Sequence, residues 1–183
     1  MNGPRAARTA RRPWRPRHVL TRPPAALVGA VYVILAAAVA RPSWGIVLGF
    51  LGFPLVEYIV HRWGFHAASR WWPAAYDRIH GAHHRLPSDP GRRIVPLSHS
   101  LPVAGALWLA LPGPVVAGLV LGYLIYEGAH GAAHHRGRLP RWLRGIRRHH
   151  MIHHLTDDVA FGVSTRWFDR VFGTMPGEPG SLR

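Results

Sequence analysis

Histidine is the residue through which this sequence can do chemistry. The chain of 183 residues holds 14 histidines against 8 acids, and no cysteine. Ten of the histidines fall in four clusters: His61 and His66 in HRWGFH, His80, His83 and His84 in HGAHH, His130 and His134 in HGAAHH, and His150, His153 and His154 in HHMIHH. Spacings of three and four put side chains on one face of an α-helix. Each of the last three clusters can therefore aim two or three imidazoles at one point. The five-residue spacing of His61 and His66 does not share a face on a straight helix, so that pair requires a helix end or a kink. Ten imidazoles suit two metal ions with about five ligands each, and imidazole favours iron, zinc, copper and nickel. Without cysteine, a disulfide scaffold, a thiolate metal site and a cysteine nucleophile are excluded.

Two acids are spaced to support the clusters. Glu57 lies four residues before His61, and Glu127 three before His130. A carboxylate near a ligating imidazole can accept its second N–H and fix the tautomer. His18 is read as solvated; His99, His135 and His149 are each a spare ligand or an ordinary polar residue, and the second reading is preferred.

The elements that must position these side chains are apolar runs. Ala25 to Ala40 is uninterrupted, Arg41-Pro42-Ser43 breaks it, and Trp44 to Val60 follows with Glu57 as its only charge. Leu97 to Leu111, interrupted by His99 and Pro102, and Val115 to Tyr126 form a weaker second pair, parted by Pro112-Gly113-Pro114, for which a pair of soluble core helices is the alternative. Each run is somewhat shorter than the ~20 residues that cross a bilayer, and flanking residues can extend it. The histidine clusters sit just past the second and fourth runs and in the polar stretches after them.

The formal charge of +15 then has a location. All 23 basic residues are arginine, and 22 of them lie in residues 1–24, in residues 61–96 or after the fourth run. The turns at 41–43 and 112–114 hold the remaining one. By the positive-inside rule both termini and the histidine-rich segments face the cytoplasm. Trp63, Trp71 and Trp72 suit an interfacial aromatic belt. This removes the motive for a nucleic-acid reading, and no zinc finger or RNP-like strand is present. The sequence predicts an all-α integral membrane protein, with four transmembrane helices in two hairpins. Residues 1–24 form a disordered basic arm, and residues 25–183 the membrane domain.

The stretches VEYIVHRWGFH, HGAHHRLPSDPGRRIVP, YEGAHGAAHH, RRHHMIHH and FGVSTRWFDRVFGT resemble the fatty acid hydroxylase branch of the sterol desaturase and fatty acid hydroxylase superfamily. The likeness runs from Leu55 to Thr174. Pro87, Asp89 and Arg93, together with the closing pattern from Phe161 through Asp169 to Thr174, resemble the 2-hydroxylase branch. The resemblance implies a cytosolic helical cap that holds two iron ions, with zinc able to replace them on isolation. It implies His61, His66, His80, His83, His84, His130, His134, His150, His153 and His154 as ligands. It gives Asp89, Arg93 and Asp169 structural or substrate-loop roles.

The implied reaction is O2-dependent hydroxylation of a fatty acyl chain. An alkyl C–H bond resists acid–base and nucleophilic side chains and calls for a redox metal. Eukaryotic members carry a fused cytochrome b5 domain, whereas 24 residues precede the first run here. The expectation is therefore a separate electron donor, such as a ferredoxin or a cytochrome b5-like protein with its reductase. Carotenoid or sterol-type oxidation at the same metals is an alternative. A non-enzymatic haem or metal-binding membrane protein is another.

Overall fold

The computed structural model describes residues 25–39, 43–135 and 137–177. The expected disordered arm and the first two residues of the Arg41–Ser43 turn lie outside them. Among the described residues there is no strand. The α-helices are α1 (Ala25–Val39), α2 (Trp44–Ile59), α3 (Pro73–Arg78), α4 (His80–Arg85), α5 (Leu97–Ala110), α6 (Gly113–Ala133), α7 (Arg141–Thr156) and α8 (Trp167–Val171).

Among the described residues, two helical segments are long and apolar enough to cross a membrane. One is Trp44–Arg70, made of α2 and its continuation, and the other is Gly113–Ala133. Both outrun the apolar runs that suggested them. Past Tyr126 the residues Gly128, Ala129, Gly131 and Ala132 contain no proline, so α6 carries on to Ala133. The apolar part of α1, Ala26–Ala37, and the 14 residues of α5 are shorter. Against the four expected spans, two described helices have spanning length. Large apolar side chains nevertheless face outward on all of these helices, including Ile34, Leu51, Leu109 and Ile125. Such a surface suits hydrocarbon rather than water.

α6 packs against α1, α2, α5 and α7. Its crossing with α2 is set by glycines that leave room for backbone. A Cβ on Gly49 would lie 2.0 Å from the Val115 carbonyl oxygen, and one on Gly118 would lie 2.1 Å from that of Ile46. One turn on, a Cβ on Gly122 would strike the Phe53 side chain at 2.4 Å. Small residues at four-residue spacing are how membrane helices approach closely. Beside this seam, Val28, Tyr32 and Ala36 of α1 bury themselves against Val116, Ala117 and Val120 of α6.

Beyond α2 the backbone widens into a π-helical turn, Val60–His66, and then tightens into a 3₁₀ turn, Ala67–Arg70. The short helices α3, α4 and α8 and the longer α7 complete the chain around the ends of α2 and α6. α7 ends at Asp157, which takes the left-handed conformation (φ 51°) that aspartate tolerates better than most residues.

Candidate metal centre

The π turn answers the five-residue spacing of His61 and His66. A π helix bonds i to i+5, so it brings residues five apart toward one side. Both rings thereby join His80 and His84 of α4 and His153 of α7. A second group draws His83 from α4, His130 and His134 from the end of α6, and His150 and His154 from α7. Within each group, one ligand atom per histidine lies within 4.8 Å of all the others. The ten histidines singled out by spacing are thus brought together as two sets of five. The sets adjoin where the His84 and His154 rings stand 4.4 Å apart.

The nitrogens that converge are Nε2. In the first group His80 Nε2 lies 3.1 Å from that of His61, 2.8 Å from His66 and 3.0 Å from His84. In the second, the Nε2 of His130 is 3.1 Å from that of His83, and His134 and His154 are 2.9 and 3.1 Å from His150. Several of these nitrogens carry lone pairs, because the other ring nitrogen is engaged as a donor. His61 Nδ1 donates to the Phe161 carbonyl (2.5 Å), His153 Nδ1 to Val159 (2.8 Å) and His130 Nδ1 to Arg93 (2.7 Å). A carbonyl can only accept, so the proton is on Nδ1 and Nε2 is bare. His84 Nδ1 meets the Asp157 carboxylate at 2.8 Å, with the same consequence. Bare nitrogens facing one another repel unless a cation stands between them. Neighbouring imidazoles on a metal at about 2.1 Å would sit about 3 Å apart, which is the spacing found. The donor set therefore fits a metal ion in each group, and all-nitrogen ligation suits iron, zinc, copper or nickel.

Burial keeps these rings neutral. It holds His80, His83, His150 and His153 well below the usual imidazole range, and the neighbouring imidazoles push the same way. His134 and His154 are pushed down to about 3 for the same reasons. The neutral ring is the form that binds metal.

The supporting acids act differently from the expectation drawn from spacing. Glu57 does not meet His61. Its carboxylate accepts the backbone N–H groups of Val163 and Ser164 and the Ser164 hydroxyl. Three donors from one loop outcompete a single ring N–H, and the π turn sends His61 toward the Phe161 carbonyl in that same loop. Glu127 does not meet His130 either: both of its carboxylate oxygens are buried without a hydrogen-bond partner among the described residues, while His130 turns to the Arg93 carbonyl.

Asp169 is fully buried and accepts from Phe161 N (2.8 Å), Gly162 N (2.9 Å), Thr174 Oγ1 (2.8 Å) and His149 Nε2 (2.9 Å). His149, read as an ordinary polar residue, is thus a buried partner of Asp169. Asp89 caps the 3₁₀ turn Pro90–Arg92 through Gly91 N and pairs with Arg92 at the surface. The Arg93 side chain ties back to the Pro87 and Ser88 carbonyls. Trp71 and Trp72 are well exposed, as an interfacial role requires.

Spacing did not reveal Asp157 or the carbonyls of Val159 and Phe161. Asp157 had a readable signal, since it closes the last histidine cluster three residues after His154. The carbonyls had none, because any residue type supplies one.

A cavity of about 360 Å³ lies next to the first group. Tyr32, Phe53, Val56, Val60, Ala104 and Leu107 line it, with Glu57 and His61 also in its wall. It lies between α1, α2, α5 and α6 and is almost wholly apolar.

Apolar helices that carry two adjoining five-histidine sets, with an apolar cavity against one of them, define a class: a helical protein with two histidine sets able to hold metal beside an apolar pocket. The particular family follows from the sequence comparison. Residues 46–174 match the fatty acid hydroxylase family, and the chain belongs to that family. It is 30% identical to a dihydroceramide fatty acyl 2-hydroxylase of Arabidopsis thaliana, over 74% of this chain and 63% of that protein. It is 32% identical to a ceramide very long chain fatty acid hydroxylase of Schizosaccharomyces pombe, over 70% of this chain and 41% of that one. The chain therefore spans less than two thirds of the length of these relatives. A solved structure of full-length scs7p, in which only the hydroxylase domain is visible, superposes with a TM-score of 0.66 at 28% identity. That match covers 83% of this chain and 64% of the other.

Proposed function

We propose that the protein is an O2-dependent membrane lipid hydroxylase that inserts one oxygen atom into a C–H bond of a fatty acyl chain. The observation that carries this reading is the apolar cavity with His61 in its wall. An acyl chain has no polar group to bind along most of its length, so an apolar slot beside a metal centre is what it requires. The relatives are named as fatty acyl and ceramide hydroxylases, which favours an acyl chain over a terpenoid ring. Five converging imidazoles per centre also exceed the two that a bis-imidazole haem would use.

In this reading the ligands are His61, His66, His80, His84 and His153 for one iron, and His83, His130, His134, His150 and His154 for the other. The bound metals supply the activation of O2 that no side chain here provides. The chain's own residues do the rest. The cavity wall holds the substrate and excludes water. The Phe161, Val159 and Arg93 carbonyls hold protons on the outer ring nitrogens, so that the inner ones stay free for metal. The two electrons come from a separate donor of the ferredoxin or cytochrome b5 type. Each apolar helix serves as a span, α1 and α5 with flanking residues, and the arginine bias places the histidine-rich end in the cytoplasm.

Lipid mass spectrometry of cells with and without the gene tests this. The expected product is a fatty acid or ceramide heavier by one oxygen, absent from cells that carry His83→Ala. Full product formation by that variant would overturn the reading.

A further inference from the structure

The two histidine sets are braced unequally. In the set around His61, three outer nitrogens are anchored: His61 to Phe161, His153 to Val159 and His84 to Asp157. In the other set, among the described residues, the structure shows His130 anchored in this way, to Arg93. The outer nitrogens of His83, His150 and His154 are buried without a hydrogen-bond partner among the described residues.

The anchors of the first set belong mostly to one loop, residues 159–164, and that loop is itself tied down along its length. Ala160 N donates to the Thr174 carbonyl (2.9 Å), Phe161 N and Gly162 N to Asp169, and Val163 N and Ser164 N to Glu57. The carbonyls of Val159 and Phe161 in this loop accept from His153 and His61. Ala160 sits at φ 59°, a left-handed conformation costly for a residue with a Cβ, and the flanking ties hold it there. At Gly162 a Cβ would lie 2.1 Å from the Thr165 carbonyl oxygen and 2.9 Å from Asp169 Oδ2, so no larger residue fits. Asp169 is in turn fixed by His149, and by Thr174, whose hydroxyl also meets that of Tyr58 at 2.9 Å.

We propose that this strapped loop makes the two metal sites unequal, so that the His61, His66, His80, His84 and His153 site fills first and empties last, with Asp169 as the positioning residue that sets the difference. The inference rests on the dimetal reading above. A ring already oriented loses less freedom on binding metal, and an N–H donated to an oxygen makes the opposite nitrogen more basic. Each such outer partner is worth about 10- to 100-fold in metal affinity.

The test is metal retention by the full-length protein in detergent. The protein is loaded with Fe(II), or with Zn(II) as a second probe, and titrated with EDTA while metal per protein is counted. Two steps of one equivalent each are expected, separated by about tenfold or more in chelator. His66→Ala should remove the tight step and His134→Ala the weak one. Asp169→Asn should move the tight step toward the weak one by about tenfold and leave the weak one in place. Ser164→Ala, which deletes one hydroxyl bond to Glu57, should move it the same way by less, and serves if Asp169→Asn fails to fold. Release of both metals in one step from the unmodified protein would overturn the inference, as would equal movement of both steps by Asp169→Asn. Failure to hold any metal would instead overturn the dimetal reading itself.

Discussion

The Glu57 carboxylate accepts both the backbone N–H and the hydroxyl of Ser164, a residue 107 positions further along the chain. One acid in an apolar helix thereby clamps the loop whose carbonyls orient two histidines. Glu57→Ala would leave the donors of Val163 and Ser164 without an acceptor in a buried setting. Unpaired buried donors cost ~1–3 kcal/mol each, so a loss of about 3 kcal/mol is expected. Thermal unfolding in detergent should show a clear drop for Glu57→Ala and a smaller one for Glu57→Gln, whose amide oxygen can still accept. An unchanged midpoint for Glu57→Ala would refute the clamp.

The glycine seam makes a paired prediction. Gly118→Val would drive side-chain carbon into the Ile46 carbonyl and Phe50 nitrogen, which are backbone atoms that cannot swing aside. Overpacking of this kind costs at least ~1–3 kcal/mol, and here α2 and α6 must part to relieve it. Little folded protein should be recovered in size-exclusion chromatography. Gly105→Ala on α5 meets nothing within 4 Å and should stay within about 1 kcal/mol of the parent. Equal recovery of the two variants would mean that the seam is not tight.

The clusters spaced by three and four were legible because a helix repeats at that interval, and the structure groups all of their members. The His61 and His66 pair was legible as a problem: its spacing demanded an irregular backbone, and the π turn supplies one. Gly118 and Gly122 stand four apart in plain view, but their partners, the Ile46 and Phe50 backbone with the Phe53 side chain, could not be named without the crossing geometry. The loop from Val159 to Ser164 was opaque for a different reason. Its working atoms are backbone groups, and one of their two carboxylate partners, Glu57, lies 106 positions before Val163 in the chain. Spacing pointed Glu57 at His61 along one helix, whereas the carboxylate's partners came from far along the chain.

Filling the cavity should separate substrate binding from metal binding. Ala104 on α5 lines the cavity and belongs to neither histidine set. Ala104→Phe places a ring where an acyl chain would lie. Metal per protein should stay unchanged while product from long-chain substrates falls by about tenfold or more, as expected when a pocket loses its shape. Retained turnover would place the substrate elsewhere.

Acid should strip the metals and loosen the metal-free fold over the same range. The His134 and His154 imidazoles sit at about 3 in the fold, against an ordinary 6.5, because burial and neighbouring imidazoles disfavour their charged forms. As pH falls below about 6.5 an unfolded chain takes up protons that these rings refuse when folded. The unfolded state then binds more protons, so stability falls with pH from about 6.5 to about 3 and is insensitive to these groups above that window. Protons also compete for the ring nitrogens that would hold metal. Metal content measured after equilibration should be full at about pH 7.5 and decline below about pH 6, and the unfolding midpoint of the metal-free protein should fall alongside it. Full metal retention at about pH 4.5 would exclude an all-imidazole centre, because a site of another donor type would be needed to hold metal against protons there.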